Sequence, residues 1–173
     1  MKTRVFSALT AIVAISALTA CNDDSPTEPS TETVTFTAQL SPANEVPPVA
    51  NAEATGSGTA VVTFVINRDG AGAITSAVAG FNITLAGFPA GTTLTMAHIH
   101  RGAIGTNDDI VVDTGITAGE VVLTSGSGSF VKNGIGVAPA LAQEILSGPA
   151  GFYVNVHSVL NGGGMARGQL VRD

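Results

Sequence analysis

The sequence predicts an all-β fold, an antiparallel β-sandwich or flattened barrel of about seven to nine strands with one short helix. Three observations point there. Apolar residues recur at every second position in several segments, the spacing of a strand with one buried face. Those segments are short and separated by turns rich in Gly, Asn and Pro. The chain carries 21 glycines and no Trp, beside many Thr and Val, a composition that suits strands and tight turns better than a helical bundle. At 173 residues there is room for one domain and a tail.

The strand pattern begins at Thr33. Val34, Phe36, Ala38 and Leu40 alternate with Thr33, Thr35, Thr37 and Gln39, so apolar groups take one face and hydroxyls the other. Pro42, Pro47 and Pro48 interrupt residues 41–51, and because proline cannot donate a ladder hydrogen bond, a rigid loop or edge is expected there. The apolar run 58–66 ends at Asn67-Arg68-Asp69-Gly70, a hairpin signal leading into a strand over 73–83. Residues 87–91 form another turn, residues 92–100 alternate again, and shorter strands are expected over 110–113, 120–124 and 128–130. Residues 138–146 depart from this pattern. Leu141 and Ile145 lie four apart, Pro139 sits where a first helical turn tolerates it, and Gly148-Pro149 supplies a stop, so a short helix is expected. Residues 152–159 and 165–171 read as two closing strands joined by Asn161-Gly162-Gly163-Gly164.

The N-terminus is read as an address. Lys2 and Arg4 precede an apolar run ending in Leu18-Thr19-Ala20-Cys21. That run is about 16 residues, short of the roughly 20 a spanning helix needs, and it reads as a signal peptide over residues 1–20. Leu18 to Cys21 resembles the bacterial lipobox, which implies cleavage before Cys21 and lipidation of its thiol. Cys21 is the only Cys in the chain, so no disulfide is expected. Residues 21–32 are polar, acidic and broken by proline, an expected flexible tether to a domain over 33–173. The expected location is the cell envelope, periplasmic or outer surface, with the membrane a partner through the N-terminal lipid. A net charge of −6 argues against nucleic acid as a partner.

The three histidines are His98, His100 and His157. Residues two apart on a strand share a face, with Cα atoms roughly 6–7 Å apart, so His98 and His100 can reach one metal ion. His157 shares a strand face with Tyr153 and Asn155. If the two strands are close, three neutral imidazoles converge as the protein half of a zinc or copper site. Protons would then compete for the site below about pH 6.5. A second reading stands beside this one: His98 and His100, sharing their face with Leu94 and Met96, form the polar rim of the core, bonded to carbonyls, Asn155 or Tyr153.

Other motifs carry less. Asn107-Asp108-Asp109 with Asp113 misses the spacing and final Glu of a calcium loop and reads as a solvated turn. Glu45 and Glu53 flank the proline loop without an identifiable partner. Ser127 and Ser129 lack the elbow of a serine hydrolase. Arg167 is expected to form a structural ion pair with a carboxylate. No catalytic residue is assigned, and the chain is read as a non-enzyme.

Five ordered segments resemble the CHRD domain, named from chordin. They are Phe36 to Ser41 with Asn44-Glu45-Val46-Pro47-Pro48, then Gly56 to Ala60, Ala97 to Gly102, Tyr153 to Ser158, and Ala166 to Leu170. Met165-Ala166 replaces the acidic-apolar pair usual before the Arg, and Ser158 stands where Thr is common. The resemblance implies a β-sandwich that in animal chordin belongs to an extracellular antagonist of bone morphogenetic proteins. For a lipidated chain of bacterial type the growth-factor partner does not carry over. What carries over is a secreted or surface module, non-catalytic, that recognises a protein or polymer. The His-x-His strand is also similar to the copper-binding strand of copper-zinc superoxide dismutases, but three histidines are too few for both metals of that enzyme, and dismutation is not expected.

Overall fold

The protein is described by a computed structural model over residues 28–173. The expected signal peptide, the Cys21 lipidation site and most of the tether lie outside the described residues. The tether's last residues do not: Ser30 to Glu32 already pair with Ile66 to Arg68. The first strand, β1 (Ser30–Leu40), thus starts three residues before the expected boundary at Thr33.

One antiparallel sheet contains β1, β2 (Ser57–Arg68), β3 (Ile74–Ala86), β7 (Gly128–Val137) and β10 (Val171–Arg172), in the order β10-β1-β2-β3-β7. The predicted hairpin joins β2 to β3, and Asp69 closes it by accepting from the backbone N–H groups of Ala71 and Ala73. Alternation along these strands aims Phe36, Val62, Phe64, Ile66, Phe81 and Ile83 at one core, each at most 1 % exposed. Phe36 and Phe64 meet edge to face, ring centres 5.7 Å apart.

The second sheet runs β5 (Ile110–Asp113), β4 (Thr92–Arg101), β8 (Phe152–Ser158), β9 (Ala166–Gln169), with β6 (Val122–Leu123) pairing the start of β4. Its inward residues, among them Ala97, Ile99, Val154 and Val156, are fully buried in the same core. The helix α1 (Pro139–Ser147) buries Ala142, Ile145 and Leu146 and begins at Pro139 as the sequence predicts.

Ten strands among the described residues exceed the expected seven to nine, for two local reasons. The predicted strand 165–171 breaks at buried Leu170, where the chain leaves the second sheet as β9 and joins the first as β10. Residues 120–124 contribute only the two-residue β6. Conversely β7 continues to Val137, well past the expected end at Phe130: Asn133-Gly134, which reads as a turn, is taken up in a register shift, and pairing with β3 resumes at Ile135. The two sheets meet where Ser41 bridges Arg167. There a Cβ on Gly168 would run into the Gln39 backbone, so this close approach requires glycine.

Candidate metal centre

β8 is buried along its whole length, so both faces of the second sheet are covered. The core covers one. The other carries the polar residues, and register sets them in rows: His98 opposite Asn155 and Asn155 opposite Arg167, then His100 opposite Tyr153 and Tyr153 opposite Gln169. Groups from the loop after β1 and the loop after β4 bond into this layer through Asn44, Thr106, Asn107 and Asp108.

The three predicted histidines converge. Ring centres are 5.0 Å apart for His98 and His157, 5.5 Å for His98 and His100, and 6.2 Å for His100 and His157. One potential ligand atom from each residue lies within 4.8 Å of the other two. All three side chains are buried, His98 at 1 % exposure, His157 at 5 % and His100 at 9 %. A bulge in β4 between Leu94 and Met96 alters the expected company: Leu94 turns into the core and Met96 is left partly exposed.

Hydrogen bonding fixes which nitrogens are free. Nδ1 of His100 lies 2.8 Å from the Asp108 carbonyl, and Nδ1 of His157 lies 3.0 Å from the Gly162 carbonyl. A carbonyl only accepts, so both Nδ1 atoms carry the proton and both Nε2 atoms present lone pairs. Those two Nε2 atoms, together with Nδ1 of His98, are buried without a hydrogen-bond partner. A sealed nitrogen of this kind costs about 1–3 kcal/mol. Three of them around one point are poorly explained by a polar rim and well explained by a ligand set in which carbonyls hold the other ring nitrogen of His100 and of His157.

The charge states agree with that set. Burial, followed by the neighbouring His157, lowers His98 from 6.5 to about 4. Burial also lowers His157, against the opposing pull of the Gly162 carbonyl. Both rings are neutral at pH 7, the form that binds metal. His100 stacks on Tyr153, ring centres 4.9 Å apart and nearly parallel, which fixes its orientation.

Arg167 departs from expectation. No carboxylate lies within ion-pair distance of it among the described residues. At 1 % exposure it donates instead to the carbonyls of Asn44 and Thr106 and to Asn107 Oδ1, and it lies 4.5 Å from the Tyr153 ring centre. Asn107 and Asp108 are exposed, as a solvated segment should be, while the Asn107 side chain and the Asp108 carbonyl also bond into the polar layer. Both loop carboxylates are buried. Glu53 accepts from Ser158 Oγ at 2.7 Å and from Asn161 Nδ2. Glu45 is held by Asn155, and burial, outweighing the attraction of Arg167, raises its carboxyl from 4.5 to about 7. Such partners, more than a hundred residues away in sequence, leave no local signal for Glu45 or Glu53.

Among the described residues no helix is long and apolar enough to cross a membrane. A family model of the CHRD domain matches residues 36–170, which spans both sheets and all three histidines. No curated protein and no solved structure matches the chain.

Proposed function

The chain belongs to the CHRD domain family, and on that premise we propose that it is a non-catalytic metal-binding module of the cell envelope, holding copper or zinc on His98, His100 and His157. The observation that carries this reading is the trio of buried, partnerless ring nitrogens. Three imidazoles, two of them with the far nitrogen bonded to a carbonyl, form a donor set suited to either metal. Such a set would buffer or deliver the metal and leaves a further coordination position for a carrier or exchange partner. The signal peptide over 1–20 and lipidation at Cys21 would export the domain and tether it to the membrane. Recognition of a protein or polymer is the second reading, supported by the family membership.

Elemental analysis of untagged protein, purified and then incubated with copper or zinc, tests the assignment. One equivalent per chain is expected, falling to background in His98→Ala, His100→Ala and His157→Ala. Wild-type protein that retains neither metal after incubation overturns it.

A further inference from the structure

Beside the junction of β1 with β9, and distinct from the histidine cluster, lies a groove of about 670 Å³ lined by Arg167, Glu45 and a set of apolar side chains. The volume suits a small ligand. Val46, Pro48, Ile104 and Val171 supply apolar walls, and Ile104 and Val171 are 83 % and 63 % exposed. Exposed apolar residues gathered around a concavity mark a binding surface more often than a bare one.

The polar end is set by Arg167. Elsewhere on the domain Arg68, Arg101 and Lys132 each meet a carboxylate, at 2.7, 2.6 and 2.6 Å. Arg167 is far more deeply buried than these, yet all its hydrogen-bond partners are neutral oxygens. A guanidinium has five N–H donors, and a buried charge without a counter-ion is expensive. Nε and Nη1 use three donors on Asn44, Thr106 and Asn107, while the two on Nη2 have no partner among the described residues. Glu45 does not fill that role: it lies beyond ion-pair distance, one of its oxygens is buried without a partner, and its carboxyl, raised to about 7, is half protonated at pH 7 and largely neutral at pH 6 and below. A neutral Glu45 can donate to an incoming anion instead of repelling it.

The geometry points to a binding site for a small carboxylate with an apolar body, its head group on Arg167 and Glu45 and its body between Ile104 and Val171. A single cation matches a monoanion better than a phosphate dianion, and the apolar walls require more than a bare head group. The same chemistry is offered by a free branched-chain acid and by the C-terminus of an apolar peptide.

Calorimetric titration of the full chain in detergent, at about pH 6 where Glu45 is neutral, tests the assignment with two probes. One is 4-methylpentanoate and the other acetyl-Ala-Val-Leu, each run beside its uncharged amide. At least one acid is expected to bind saturably, one per chain, and about tenfold or more tighter than its amide. The tighter acid tells which source of carboxylate fits. Ile104→Glu, at an exposed position that leaves the core intact, is expected to weaken binding about tenfold by placing a competing carboxylate at the mouth. Equal affinity for acid and amide, no binding of either acid, or undiminished affinity in Ile104→Glu would each overturn the proposal.

Discussion

Glu45 and His98 pull the folding equilibrium in opposite directions over the same pH range, and replacing either one exposes the other. Burial raises Glu45 from 4.5 to about 7. Between those values the folded chain keeps a proton that the unfolded chain has released, so stability rises as pH falls. His98 is lowered from 6.5 to about 4. Here the unfolded chain holds the extra proton, so the contribution is complete above 6.5 and is lost as pH falls toward 4. Each displacement corresponds to about 3 kcal/mol, and between pH 4.5 and 6.5 the two offset each other. His157 is lowered as well and tilts the balance toward acid loss. In metal-free protein the urea midpoint of wild type should therefore change little across this window on account of Glu45 and His98. Glu45→Gln keeps the shape and removes the titration. Relative to wild type it should lose about 3 kcal/mol between pH 6.5 and 4.5, while His98→Asn should gain a similar amount. Denaturation at fixed ionic strength with a chelator present measures both. The comparison uses slopes against pH, so any constant offset from the substitution drops out. Parallel profiles for wild type and Glu45→Gln would refute the placement of a folded-state proton on Glu45.

Three further outcomes follow from the same structure. Because His98 and His157 are both lowered by burial, bound copper or zinc should survive dialysis down to about pH 5 and be lost toward pH 4; half-loss already at pH 6.5, as unperturbed imidazoles would give, would contradict the buried cluster. Gly168→Ala drives a methyl group into the Gln39 backbone, and overpacking at this seam should cost about 1–3 kcal/mol, read as a fall of several degrees in the thermal midpoint. Cys21→Ala should remove a diacylglycerol-sized mass and shift the protein from the membrane to an uncleaved or soluble form, and unchanged membrane partitioning would count against lipidation.

Alternation made the first sheet legible almost residue by residue, because β1, β2 and β3 each bury one face and expose the other. It gave the strand over 152–159 but not the covering of that strand's polar face, and it ended β7 early, where pairing outlasts the pattern. β8 reads as mixed polar and apolar yet is buried throughout, and β7 runs through Asn133-Gly134, which by itself signals a turn. The histidine cluster was half legible. The spacing of His98 and His100 put them on one face, but only the pairing of β4 with β8 shows that His157 joins them. Glu45, Asn44 and Asp108 were illegible, since their roles depend on loops folding back over a sheet, and loop composition encodes no such destination.

That fold-back is what turns a strand face into a site. An outer sheet face left open to water would leave three histidines hydrated, their pKa values ordinary and their ring nitrogens bonded to solvent. Here the loop after β4 returns to set the Asp108 carbonyl on His100, the turn after β8 sets the Gly162 carbonyl on His157, and the loop after β1 seals Asn44 and Glu45 against β9. The segments carrying Asp108 and Gly162 each cover a histidine and fix its ring, so dehydration and orientation are produced there by the same contacts. The site is therefore only as rigid as those loops. Arg167, which ties Asn44 from one loop to Thr106 and Asn107 from the other, holds them in register. Loosening that tie would rehydrate the imidazoles and return His98 toward 6.5 without touching a ligand atom.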